Sequence, residues 1–231
     1  MKTQLTKLVM FCGLTLAAFG QTVNVTDNSP AGSPFVITGT LTFGTDDSVG
    51  CAIVGHNRSA KPLLTAKTHL ELVSASGDAY SYEAFFQHDH FLKDALAAPN
   101  SDFEILSDCN IWDSAEIAQY TATMTPKVRA TAIFAQLADG TTWGDSKTQQ
   151  AVMADRREMI SYLQSLQSTY NAGGTSALLT ALAVPQISSA ARRRRQHHLQ
   201  HVLSVSGSNA VAETINSYLA SAANHQSALL P

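Results

Sequence analysis

Phe35-Val36-Ile37-Thr38-Gly39-Thr40-Leu41-Thr42-Phe43 decides the class of the N-terminal half. Phe35, Ile37, Leu41 and Phe43 fall on one parity, and Thr38, Thr40 and Thr42 on the other. A period of two, apolar against polar, is the pattern of a strand with one face in a core. Working outward, further strands are expected at Val49 to Val54, Ala66 to Val73, Ala79 to Phe86, Phe103 to Leu106, Tyr120 to Met124 and Val128 to Leu137. In the second of these, Thr68, Leu70 and Leu72 alternate with Lys67, His69 and Glu71. Ala138-Asp139-Gly140-Thr141-Thr142-Trp143 reads as a hairpin turn, with Gly140 supplying a positive φ. Short strands separated by turn signals predict an antiparallel β-sandwich.

Two segments resemble bacterial exported immunoglobulin-like or fibronectin-III-like domains: the link Asn57-Arg58-Ser59-Ala60-Lys61-Pro62 and the turn Leu96-Ala97-Ala98-Pro99-Asn100. Ala138 to Asp145 resembles exported bacterial proteins of unknown function. In the turn an extra alanine precedes Pro99, and Asn100 stands where such domains often carry glycine. The resemblance covers residues 22–145 and implies an Ig-like sandwich of unknown function. None of its motifs is catalytic, and a fold alone implies no activity.

Beyond residue 145 the period changes. Ser146-Lys147-Thr148-Gln149 has the form of a capping box. Val152, Met159, Leu163, Leu166 and Tyr170 then recur on one helical face. Gly173-Gly174 is expected to end that helix. Thr175 to Val184 is a short helix stopped by Pro185, Ser188 caps a third through to Val205, and Ser208 a fourth carrying Val211, Ile215 and Leu219. The expected class is thus α+β, an N-terminal antiparallel sandwich over 21–145 and about four Ala-rich helices over 146–231. The helices are expected to lean on the sandwich or on a partner, with a mobile tail as the alternative for the last forty residues.

The charge shifts at the same place. Residues 21–145 hold six Lys/Arg against fifteen Asp/Glu, and residues 146–231 hold seven against three. An acidic chain is a poor ligand for nucleic acid, whose affinity rests on neutralised phosphates. At the N-terminus, Lys2 and Lys7 flank an apolar run from Leu8 to Phe19, and Ala18-Phe19-Gly20 ends it with small residues. This is a signal-peptide pattern with cleavage expected before Gln21, so the chain is expected in the periplasm or outside the cell. Val9-Met10-Phe11 lacks the small residues that a lipidated Cys12 would need. No later segment is long and apolar enough to be an anchor; the best is Ala177 to Val184. Cleavage leaves Cys51 and Cys109, an even pair in an oxidising compartment, expected to be bridged. Asn24-Val25-Thr26 and Asn57-Arg58-Ser59 are glycosylation sequons, relevant only in a host that glycosylates.

The candidate chemistry is sparse. His88-Asp89-His90 places two imidazoles on one side of an extended backbone, the start of a zinc or other transition-metal site. A catalytic zinc needs three protein ligands, so His56, His69 or Asp89 would have to complete it. The bland alternative is a polar loop leading into Phe91 and Leu92. His197 and His201 are one helical turn apart, but the glutamate of an H-E-x-x-H site is missing. Arg192 to Arg195 could meet lipid headgroups, an anionic polymer or the acidic first domain, or be merely solvated. Trp112, Trp143, Tyr80 and Tyr82 could stack on sugars or sit in the core. There is no G-x-S-x-G, P-loop or dinucleotide motif. The expected function is a non-enzymatic exported binding or structural module without a cofactor, its partner a protein or envelope polymer. The alternatives are a metal-dependent hydrolase at His88, Asp89 and His90, and an anionic-surface binder at Arg192 to Arg195.

Overall fold

The computed structural model describes residues 21–44, 49–73, 82–107, 127–186 and 189–229. The strands are β1 (Gln21–Asp27), β2 (Phe35–Phe43), β3 (Val49–Asn57), β4 (Leu63–Val73), β5 (Tyr82–Asp89), β6 (Asp102–Leu106), β7 (Lys127–Leu137) and β8 (Thr142–Gly144). Helices α1 (Ser146–Ala183) and α2 (Ala190–Asn224) follow, and a 3-10 turn (Gln226–Leu229) closes the described chain.

The sandwich expectation is overturned. The strands form one mixed sheet, nearly a barrel, in the order β5-β4-β7-β1-β2-β3-β6, with β8 hung on β7. The reason lies in β1. Its first half pairs antiparallel with β2, from Gln21↔Phe43 to Asn24↔Thr40. Its second half pairs parallel with β7, from Val25↔Val128 to Asp27↔Ala130. One strand thereby joins what would be two separate sheets. Register irregularities at Ile53/Val54, Leu63/Thr65 and Lys67/Thr68 help to curl it.

The alternation in β2 holds: Phe35, Ile37, Leu41 and Phe43 are buried in the barrel core with Ile53, Leu70, Phe103 and Val128. Mid-strand Gly39 has φ 147, and a Cβ there would lie 2.1 Å from the Ala52 carbonyl oxygen. Only glycine allows that approach. The hairpin turn is present, with Gly140 at φ 92 between β7 and β8. The expected strand at 120–124 lies outside the described residues, as do the expected leader at 1–20 and Trp112, Tyr80 and Cys109.

Among the described residues the helices number two, not about four. Gly174 (φ 65) and Gly207 (φ 82), where helix ends were expected, are single non-helical residues inside longer elements. The caps shift by one residue as well. Asp145, not Ser146, caps α1 by accepting from the Thr148 amide at 2.6 Å. Ser189 caps α2 by accepting from the Arg192 amide at 3.2 Å. The helices do more than lean on the sheet. Leu163, Leu166, Leu178, Leu182, Leu199, Val211 and Ile215 build a second core, into which the sheet sends Leu64, Phe91 and Leu92.

Both segments behind the Ig-like resemblance have a structural job. Asn57 is fully buried, and its Nδ2 donates to the carbonyls of Lys61 (3.0 Å) and Ala98 (2.9 Å) while Oδ1 accepts from the Ser59 amide (3.0 Å). One amide thus ties the link after β3 to the turn before β6. Its burial withdraws Asn57 from glycosylation in the folded chain, leaving the exposed Asn24.

Candidate functional site

The concentration of buried polar chemistry lies where the barrel end meets the helices, and Arg156 is its centre. Arg156 stands on α1 and is fully buried. Its Nε donates to Asp89 Oδ2 at 3.0 Å and Nη2 to Asp89 Oδ1 at 2.8 Å, a two-pronged ion pair. Nη2 also donates to Thr65 Oγ1, and Nη1 to Gln136 Oε1 and to the Ala228 carbonyl at 3.0 Å. All five guanidinium N–H groups are therefore used. The guanidinium sits 4.6 Å from the centre of the Phe91 ring, a cation–π contact in a dry site. Through one side chain, α1 is joined to β4, β5, β7, the turn after β5 and the C-terminal 3-10 turn.

Asp89 is as fully committed. Its carboxylate accepts both prongs from Arg156, a bond from Thr65 Oγ1 at 2.9 Å and one from the Phe91 amide at 3.1 Å. Its neighbours face elsewhere. His88 Nε2 lies 3.0 Å from the Ile105 carbonyl, spanning β5 and β6, the two ends of the strand path. His90, just past β5, sets Nδ1 3.2 Å from the Asp94 carbonyl. Of the other expected ligands, His56 Nδ1 lies 2.6 Å from Asp102 Oδ1, and His69 stacks on the exposed Phe85 ring at 4.6 Å. Among the described residues no group of three or more His, Cys, Asp or Glu side chains is placed to hold a metal ion. Asp89 is spent on anchoring α1, His88 bonds across the two ends of the strand path, and His90 bonds within its own turn.

Burial pushes the His88 imidazole below its ordinary pKa, the Ile105 bond and Glu104 opposing and His90 assisting. His198 is likewise lowered, first by burial and then by Arg195, Lys93 and His201. For a histidine depressed in the fold, the unfolded chain takes up the proton first. Its contribution is complete above the unfolded value near pH 6.5 and is lost as pH falls toward the folded one. The urea midpoint of the chain from Gln21 on is thus expected to fall between pH 7.5 and 5.5. His88→Gln, which keeps an N–H for Ile105, should flatten that fall; an unchanged slope would remove His88 from the explanation.

The four arginines do not reach the acidic sheet as a group. Arg192 Nε donates to Glu158 at 2.5 Å and Arg194 Nη2 to Asp155 at 2.8 Å, both carboxylates on α1. Arg195 turns inward and stacks on Tyr218 at 4.4 Å. Arg193 is exposed and, with Gln196, His197 and Gln200, lines a shallow hollow at the α1–α2 connection. His197 and His201 are both exposed. Gln196 is the buried polar group that the sequence did not advertise: Nε2 donates to the Leu182 and Val184 carbonyls, each at 2.7 Å, and closes the end of α1. Trp143 packs against the barrel core. Cys51 is disulfide-bonded, while Cys109 lies outside the described residues. Among the described residues, no helix is long and apolar enough to cross a membrane. No protein-family model, curated protein or solved structure matches the chain.

Proposed function

We propose that the mature chain is an exported, non-enzymatic binding or structural module, in which sheet and helices act as one rigid body. The observation that carries this reading is the Arg156 junction. The most deeply buried charged cluster spends every donor on holding elements together, and so does the carboxylate that metal chemistry would need. A centre built for turnover leaves acceptors and donors open for substrate. The leader-like N-terminus supports an address in the envelope or outside the cell, and a Cys51–Cys109 bridge would suit that compartment. The partner in this reading is a protein or an envelope polymer.

The reading is tested on full-length chain expressed in its own host, fractionated, and assayed for ester, peptide and phosphoester hydrolysis with and without added zinc. The expected result is mature chain starting at Gln21 in the envelope or medium, with no zinc-dependent turnover. Turnover abolished by His88→Ala and His90→Ala would establish the hydrolase alternative instead. Full-length chain held in the cytoplasm would remove the exported part of the reading.

A further inference from the structure

We propose that Arg195, His198 and Tyr218 of α2, together with Lys93 of the turn after β5, form a binding site for a phosphate-class anion. Arg195 lacks what the neighbouring Arg192 and Arg194 have. Arg192 and Arg194 each hold a carboxylate. The Arg195 guanidinium holds an aromatic face and, at 3.8 Å, the Met159 thioether, and its Nε is buried with no hydrogen-bond partner. Burial lowers its pKa, with Tyr218 and Asp89 opposing and Arg194 assisting, as expected of a cation partly stripped of water. Such a charge is costly to keep, and an arriving anion offsets the cost.

The surroundings are of one sign. His198 follows Arg195 by one helical turn, and its Nε2 lies 2.8 Å from Tyr218 Oη. When the phenol donates to Nε2, the second ring nitrogen keeps its N–H. The groups acting on His198 are Lys93, Arg195 and His201. Those acting on Arg195 are Tyr218, Arg194 and Asp89. Asp89 is the lone carboxylate of the set, and its four hydrogen bonds to Arg156, Thr65 and Phe91 commit it elsewhere. A guanidinium fork, an ammonium, an imidazole and a phenol together suit a ligand with several oxygens and a full negative charge. Phosphate, free or on a lipid headgroup, has that chemistry.

The site goes beyond the proposed function and is tested on purified mature chain, whatever its address in the cell. Thermal unfolding is followed in inorganic phosphate and in chloride of equal ionic strength. A ligand about a hundredfold above its Kd should raise Tm by roughly 5 °C or more. The exposed variants Lys93→Gln and His198→Gln should keep the starting Tm and lose half or more of the rise. Flotation with phosphatidylglycerol and phosphatidylcholine vesicles identifies the source. Binding to the anionic vesicles that is lost in Lys93→Gln assigns a lipid headgroup. A phosphate-induced rise without flotation assigns free phosphate. No rise over chloride, or a rise that survives in both variants, would overturn the site.

Discussion

Replacing Arg156 with leucine is expected to destabilise the chain by about 3–5 kcal/mol, the cost of breaking a buried ion pair from one side. Leucine supplies apolar volume but no donors. It leaves the Asp89 carboxylate, only 15% exposed, facing an apolar neighbour. Gln136 Oε1 and the Ala228 carbonyl lose a donor in the same step. Arg156→Lys should recover only part of the loss, because an ammonium cannot reproduce the two-pronged contact and serve Thr65 and Gln136 together. Urea unfolding at pH 7.5 gives both numbers. A leucine variant within 1 kcal/mol of the parent would show that the junction is not a source of stability.

The second large effect is expected at Phe91. It is fully buried in the helical core although it belongs to the turn after β5. Its ring supports the Arg156 guanidinium, its amide donates to Asp89, and its carbonyl lies 2.9 Å from His225 Nδ1. Phe91→Ala removes the ring and leaves a cavity between the two cores, at about 3–5 kcal/mol. Because Phe91 and Arg156 touch, their losses should not add. The double variant Phe91→Ala/Arg156→Leu should be less destabilised than the sum of the singles, by about 0.5–3 kcal/mol. Strict additivity would show that the ring and the guanidinium act independently.

The two large effects fall on residues of different legibility. The β2 alternation was readable because burial of one strand face is a local property. The neighbour relations were not. A sandwich and a rolled mixed sheet bury the same alternate residues, and the difference lies in β1, which is antiparallel to β2 along one half and parallel to β7 along the other. That pairing spans about a hundred residues, and no periodicity records it. Gly174 and Gly207 were visible as helix interruptions, yet a single glycine with positive φ does not decide whether the chain ends an element or bends within it.

Arg156 leaves a trace in the sequence. On the apolar face of α1 the step from Val152 to Met159 skips a turn, and Arg156 stands in the gap, four residues after one and three before the other. A charge on a core-facing position calls for a buried partner. Asp89 was conspicuous, but its flanking histidines suggested a metal, and nothing in the spacing linked it to a residue 67 positions away. The run Arg192 to Arg195 was legible as charge and misleading as a unit. A helix sends consecutive residues to different sides, so two meet carboxylates on α1, one faces the surface and one turns inward onto Tyr218.

The claim that sheet and helices form one body, joined through Arg156, is tested most directly by following urea unfolding with two probes at once. Both tryptophans, Trp112 and Trp143, lie in the strand-rich part of the sequence, so their fluorescence reports on that half. Circular dichroism at the helical band reports on α1 and α2. Coincident single transitions are expected for the unaltered chain from Gln21 on, and separated ones for Arg156→Leu. Two well-separated transitions in the unaltered chain would contradict it.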